Sequence, residues 1–143
     1  MHVTIRKAAS EDATAINNLA WQLGYTPTVE ATAERIHAIT ADKTHCAFVA
    51  EASGEVIGWV QAFCAIRLES EPFVEIGGLV VDVNARGTGV GRKLVQQVMV
   101  WSAQQPVSKI RVRTNTTRLE THQFYQKFGF EENKEQKVYD LKL

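Results

Sequence analysis

Cysteine and proline are both scarce in this chain of 143 residues, with two and three copies. Cys46 and Cys64 sit in apolar, strand-like surroundings without metal-type spacing, so neither a disulfide framework nor a metal site is expected. They predict reduced core residues of a cytoplasmic protein. No apolar run is long enough to cross a membrane, and the opening Met-His-Val-Thr-Ile-Arg has no apolar signal core. No membrane association is expected. Repeats, linkers and low-complexity runs are also missing, which predicts a single domain over residues 1–143 with room for a proper core. The net charge is zero, which argues against a dedicated nucleic-acid binder.

One further absence is local. From Val83 to Arg118 there is no Asp or Glu, but there are seven Arg and Lys. The remainder carries nine basic and sixteen acidic residues, a net of minus seven. A polyanionic ligand beside the basic stretch and a cationic substrate elsewhere would match this split.

The acid-free stretch overlaps the most informative segment, Glu75-Ile76-Gly77-Gly78-Leu79-Val80-Val81-Asp82-Val83-Asn84-Ala85-Arg86-Gly87-Thr88-Gly89-Val90-Gly91-Arg92-Lys93-Leu94. It reads as an apolar strand, a tight glycine turn and the start of an amphipathic helix. Such a turn aims several backbone N–H groups at one point, at the positive end of a helix dipole. That is a seat for phosphate or pyrophosphate. A nucleoside-triphosphate loop would need Gly-Lys-Ser/Thr, whereas Gly91 is followed by Arg92-Lys93-Leu94. A dinucleotide fingerprint would need Gly-x-Gly-x-x-Gly and an acid about twenty residues on. Both are excluded in detail. Gly77 and Gly78, inside a strong strand, predict a bulge or a close approach by another chain.

Periodicity supplies the other elements. His2–Ala8 alternates as a half-buried strand, and Ser10 with Glu11-Asp12 is the expected entry to a helix carrying Ile16, Leu19 and Leu23, stopped at Gly24. A second helix is expected from Val29 to Thr40, with Val29, Ala33, Ile36 and Ile39 inward. Cys46–Glu51 and Val56–Cys64 read as strands joined at Ser53-Gly54, and Arg67–Pro72 as a polar connection before the strand Phe73–Val81. Val90, Leu94, Val95, Val98 and Trp101 mark the buried face of a helix ending before Pro106. Lys109–Thr114 is a further strand. Thr117-Arg118-Leu119-Glu120 is a capping-box pattern for a fourth helix stopped at Gly129, and one or two strands are expected within Phe130–Leu143. Trp21 and Trp101 are expected in the core or in helix packing, Trp59 on a strand, and His122 on a helix surface. Tyr25, near the first loop, is a candidate pocket residue. The order predicts an α/β three-layer sandwich, a mixed, mainly antiparallel sheet with helices on both faces.

Arg86, Gly89 and Gly91 satisfy Arg-x-x-Gly-x-Gly, and Phe124-Tyr125-Gln126-Lys127-Phe128-Gly129-Phe130 follows near the C-terminus. With the strand before the turn, these motifs make the chain resemble the GCN5-related N-acetyltransferases. The resemblance implies the same sandwich fold and acetyl-CoA as co-substrate. It implies that Leu79, Val80 and Val81 offer backbone groups to the acetyl-pantetheine arm, and that Arg86, Gly87, Thr88, Gly89, Val90, Gly91 and Arg92 hold the pyrophosphate. Asn115 is a further candidate cofactor contact, and a contact from Arg118 is also considered.

Acetyl transfer to an amine needs a deprotonated amine, a donor to the developing oxyanion and a protonated leaving thiolate. An alkylammonium of pKa about 10.4 is less than one part in a thousand neutral at pH 7, so a carboxylate base helps. Glu75 matches the base position of the family's histone-acetylating branch, while Gly77 stands where other branches place an acid. A backbone N–H near Val81 could serve the oxyanion. Tyr125 matches the tyrosine usually assigned as general acid to the thiolate. The expectation is therefore an N-acetyltransferase acting on a primary amine by direct transfer in a ternary complex, with a cationic small molecule as acceptor. The alternatives are an acyl-CoA-binding sensor without transferase activity and a protein lysine or N-terminal acetyltransferase. Family members commonly form homodimers, which the resemblance allows here.

Overall fold

The computed structural model describes residues 1–143 and divides into two units, Met1–Val112 and Arg113–Leu143. The first contains β1 (Thr4–Lys7), a 3-10 turn (Ser10–Asp12), α1 (Ala13–Trp21), α2 (Val29–Thr40), β2 (His45–Ala52), β3 (Glu55–Arg67), β4 (Ser70–Val81), α3 (Val90–Ser102) and β5 (Ile110–Val112). The strands lie in the order β1-β2-β3-β4-β5. The first three pairs are antiparallel and β4–β5 is parallel, which gives the mixed, mainly antiparallel sheet expected from the sequence. The β2–β3 hairpin turns at Ser53 (φ 52°) and Gly54 (φ 79°), left-handed residues whose twist suits a two-residue loop. Parallel strands need a crossover, and α3 supplies it. No helix is long and apolar enough to cross a membrane.

Alternation along the strands assigns the two faces. A Cβ placed on Gly58 would stand 3.2 Å from Leu94 Cδ1 and 3.3 Å from Val90 Cγ1, so Gly58 faces α3. Phe48, Ala50, Val60, Ala62, Val74 and Ile76 share that face by register and are buried. They meet the buried Val90, Leu94, Val95 and Val98 of α3. On the other face, Ala47, Val49 and Trp59 pack with Ala13 and Ile16 of α1 and with Val29, Ala33 and Ile36 of α2. Gly58→Ala would also bring its methyl within 3.0 Å of the Val80 carbonyl oxygen, a backbone atom that cannot rotate away. The expected loss is about 1–3 kcal/mol in urea unfolding. An unchanged midpoint would mean that both α3 and the β4 backbone give way to make room.

Several local expectations are corrected. Ser10 does not cap α1. Instead Asp12, which is buried, accepts from the Ala9 N–H at 2.8 Å and from Arg6 Nη1 and Nη2 at 2.8 and 2.9 Å. Arg6 Nε reaches Glu51 on β2 at 2.7 Å, so Arg6 joins the turn before α1 to the β1–β2 pair. Trp21 is not a core residue. It ends α1, is 55% exposed, and donates its indole N–H to the Pro27 carbonyl at 3.4 Å. Helix α2 has the expected limits, with Thr28 Oγ1 accepting from the Ala31 N–H at 3.1 Å. Strand β4 begins at Ser70, inside the expected connection, because β3 and β4 continue pairing to Arg67↔Ser70.

The second unit contains α4 (Leu119–Phe128). The capping box does not form. Thr117 gives both its N–H and its hydroxyl to Asn115 Oδ1, at 3.0 and 2.8 Å, and the helix starts beyond it without a side-chain cap. Gly129 (φ 122°) ends α4, as expected, and its N–H donates to the Tyr125 carbonyl at 3.2 Å. The strands expected within Phe130–Leu143 are absent, and Val138, Tyr139, Leu141 and Leu143 are exposed. Alternation supplies an apolar face there, but a strand also requires a pairing partner.

Candidate active site

The glycine turn has the conformation its composition suggests. Gly87 and Gly89 take φ of 77° and 89°, and nothing lies within 4 Å of where a Cβ would stand on either. Gly89 is the N-cap of α3, and no side chain caps that helix. The first turn of α3 contains no acid but does contain Arg92 and Lys93. Uncapped N–H groups and the helix dipole meet at one exposed point, in a turn that carries basic residues and no acid, which suits a phosphate group. Thr88 Oγ1 donates to the Ala85 carbonyl and Arg86 Nε to the Val81 carbonyl at 3.4 Å, which folds the turn against the end of β4.

Strand β4 is split in its pairing. Its pairing with β5 covers only Val74↔Ile110, Glu75↔Arg111 and Ile76↔Val112. Beyond lies the bulge, where Gly78 opposes Gln61 and Ile76 opposes Ala62, leaving Gly77 over. The Asp82 N–H donates to the Ile57 carbonyl at 2.8 Å, so Val80 exchanges bonds with Trp59 while Leu79 and Val81 turn their backbone groups the other way. No strand pairs with this half of β4 on that side. Leu79 and Val81 can therefore accept an extended ligand as an added strand. The backbone of Val80 faces β3, which corrects its expected place among them.

Glu75 stands in a cross-strand row that the sequence reading missed. Register aligns His45 with Phe63, Phe63 with Glu75, and Glu75 with Arg111, all on the face away from α3. His45 stacks on Phe63 with ring centroids 5.5 Å apart. The neighbouring rows bring Trp59 and Gln61. A Cβ on Gly77 would be 2.4 Å from Gln61 Oε1, and one on Gly78 would be 2.8 Å from the Trp59 ring. The two glycines thus admit side chains of β3 over β4. His45 Nδ1 and Trp59 Nε1 are buried on this face without a hydrogen-bond partner. The missed signal was the period-two run Trp59, Gln61, Phe63, which only becomes a face once register is known.

In the second unit, Tyr125 is buried and packs edge-on against Phe124 and Phe130, at 5.1 and 5.3 Å between centroids. Burial pushes its phenol up to about 12, with Arg118 opposing the shift. It is therefore a phenol rather than a phenolate throughout the physiological range. Asn115 Oδ1 is engaged in the turn before α4, which leaves the amide N–H₂ as its donor for a ligand. His122 is half-buried and pairs through Nε2 with the Asn115 carbonyl at 2.8 Å. Cys46 and Cys64 are unpaired thiols, and burial pushes Cys46 to about 12 and Cys64 upward, the opposite of an activated nucleophile.

A helix start suited to an anion and a half-strand open on one side are features that an acyl-CoA-dependent transferase would use. Residues 12–130 match the profile of the acetyltransferase (GNAT) family, and the chain belongs to that family. It is 30% identical over 138 residues to an aminoglycoside N(6')-acetyltransferase type 1 of Stenotrophomonas maltophilia, covering 90% of this chain and 86% of that one. It is 31% identical over 85 residues to an N-acetylaspartate synthetase of Xenopus tropicalis, covering 59% of this chain and 30% of that one. The fold superposes on the aminoglycoside acetyltransferase AAC(6')-Iy, solved with a CoA–acetylneamine bisubstrate analogue, with a TM-score of 0.87 at 22% identity and full coverage of both chains. The protein is accordingly an N-acetyltransferase for an amine, with acetyl-CoA as co-substrate.

Proposed function

We propose that the enzyme transfers acetyl directly to a primary amine of a small molecule that arrives as an ammonium cation, in a ternary complex without a covalent enzyme intermediate. The observation that carries this reading is the unpaired half of β4, which leads from the glycine turn to Glu75. When bound, acetyl-CoA supplies an activated acetyl thioester. Arg86 through Arg92 hold its pyrophosphate, Leu79 and Val81 hydrogen-bond its extended arm, and the Asn115 amide donates to it. Glu75 removes a proton from the ammonium, and a backbone N–H on the open side of β4 donates to the developing negative charge.

Tyr125 carries the role of proton donor to sulfur on its motif. A phenol near 12 gives its proton to a thiolate, whose acid is near 8.5, only uphill. Its contribution is therefore expected at the low end of general-acid effects: Tyr125→Phe should slow turnover by about a hundredfold with acetyl-CoA affinity kept. Equal loss of binding and turnover would make it a packing residue. The surplus of acids outside residues 83–118 and the aminoglycoside-modifying relative both support a cationic acceptor.

A melting comparison with acetyl-CoA, CoA, NADH and ATP tests the cofactor seat. At a hundred times its dissociation constant, a ligand of the folded state adds about 2.7 kcal/mol. Stabilisation by acetyl-CoA and CoA, and not by NADH or ATP, is expected. A shift with NADH or ATP alone would end the reading.

A further inference from the structure

We propose that Gln61 binds the acceptor: its side-chain oxygen takes an N–H of the primary amine beside Glu75 and so aims the nitrogen at the acetyl group. This rests on the acetyltransferase reading above. A Cβ on Gly77 would stand 2.4 Å from Gln61 Oε1, 3.2 Å from Gln61 Cδ and 3.4 Å from Phe63 Cε1. The Gln61 carboxamide therefore fills the place of the side chain that residue 77 lacks. It reaches there from β3, across the bulge that leaves Gly77 without a register partner. Filling that space requires no polar group, and a leucine side chain would serve. An amide on a half-buried face, between Trp59 and Phe63, is costly unless it finds a partner. No hydrogen bond within the protein engages the Gln61 amide.

The surroundings of that amide suit a cationic nitrogen. Along this face of β4 stand Glu75, the Gln61 amide over Gly77 and the Trp59 ring over Gly78. A carboxylate, an amide oxygen and an aromatic face each attract an ammonium. Arg111 is the register partner of Glu75 on β5, so it flanks the carboxylate from the strand opposite to Gln61. Two residues of strand separate Glu75 from Gly77 by about 6–7 Å, a gap that one nitrogen held between the two side chains can bridge. The chemistry calls for this second contact. An alkylammonium that gives one proton to Glu75 keeps two N–H groups and is free to turn about its C–N bond. One N–H donated to Gln61 Oε1 stops that rotation and fixes the direction of the lone pair.

The test compares Q61L, Q61E and G77A with wild type in thiol release from acetyl-CoA, with neamine, spermidine and lysine as the amines. Q61L keeps the volume and loses the oxygen. It should lower kcat/KM for the amine about tenfold to a hundredfold, the worth of one hydrogen bond to a charged group. Part of that loss should fall in kcat, because the contact orients the nitrogen as well as holding it, and KM for acetyl-CoA should stay at the wild-type value. Q61E restores an oxygen acceptor and should stand well above Q61L. G77A retains Gln61 but pushes its amide away, and should match Q61L, whereas the same methyl in a Q61A background should add nothing. That pair decides alone should Q61L fold poorly. Full activity in Q61L and G77A, or equal losses in Q61L and Q61E, overturns the role of Gln61 and leaves the acetyltransferase reading standing. Absence of thiol release from the wild-type enzyme with all three amines overturns that reading and the role of Gln61 with it.

Discussion

Glu75→Gln is expected to lower kcat/KM for the amine by about a hundredfold at pH 7, and the deficit should shrink toward pH 10. The substitution keeps the shape of a side chain set between Phe63 and Arg111 on the flanking strands, so the fold is preserved. What it removes is a proton acceptor. At pH 7 less than one part in a thousand of an alkylamine is neutral, and an enzyme lacking a base must wait for that fraction. As pH approaches the ammonium pKa of about 10.4, the neutral amine becomes common and the base matters less. Affinity for acetyl-CoA should stay at the wild-type value, because the cofactor seat lies beyond the bulge. The pH profile of thiol release, from pH 6 to 10, decides the matter. A small loss, constant across that range, would reduce Glu75 to a strand carboxylate that shapes the face without moving a proton.

The largest effect on stability is expected at Asp12. Removing its carboxylate deletes two hydrogen bonds from Arg6 and strands the Ala9 N–H. Breaking a buried, hydrogen-bonded ion pair costs about 3–5 kcal/mol. Here the lower end applies to Asp12→Ala, since Arg6 is 37% exposed and keeps Glu51. The pair ties β1 to the entry of α1 and, through Glu51, to β2, so its loss loosens the helical layer over the sheet. The pH dependence has a definite sign. The hydrogen bond from Arg6 holds the Asp12 carboxyl below its ordinary value. Its contribution is therefore complete above the unfolded pKa of about 3.9 and is lost as pH falls through the lower, folded value. Asp12→Asn and wild type should differ by a constant amount from pH 8 to about 5, and converge in acid below about 4. Urea unfolding across that range measures it. Curves that stay parallel into acid would place the Asp12 effect in packing rather than charge.

Much of this protein is written in local chemistry. The glycine turn was legible because Gly87 and Gly89 occupy backbone conformations that other residues rarely adopt, and the dipole of the following helix is fixed by chain direction. The limits of α2 and the turn at Ser53-Gly54 were legible for the same reason: each depends on contacts within a few residues. The candidate residues Glu75 and Tyr125 were found through motif spacing, which is also local.

What the tertiary structure decided was every feature that depends on register. Asp12 takes a bidentate partner from β1, and that same Arg6 reaches Glu51 on β2, a link that only the pairing of β1 with β2 provides. The bulge at Gly77 determines which backbone groups of β4 face outward, selecting Leu79 and Val81 and rejecting Val80. The row from His45 to Arg111 is assembled from four strands. Alternation in one strand states that two faces exist, but only pairing says which residues share a face. Slipping any strand by one residue would turn its side chains to the opposite layer, and no single segment of sequence contains that information.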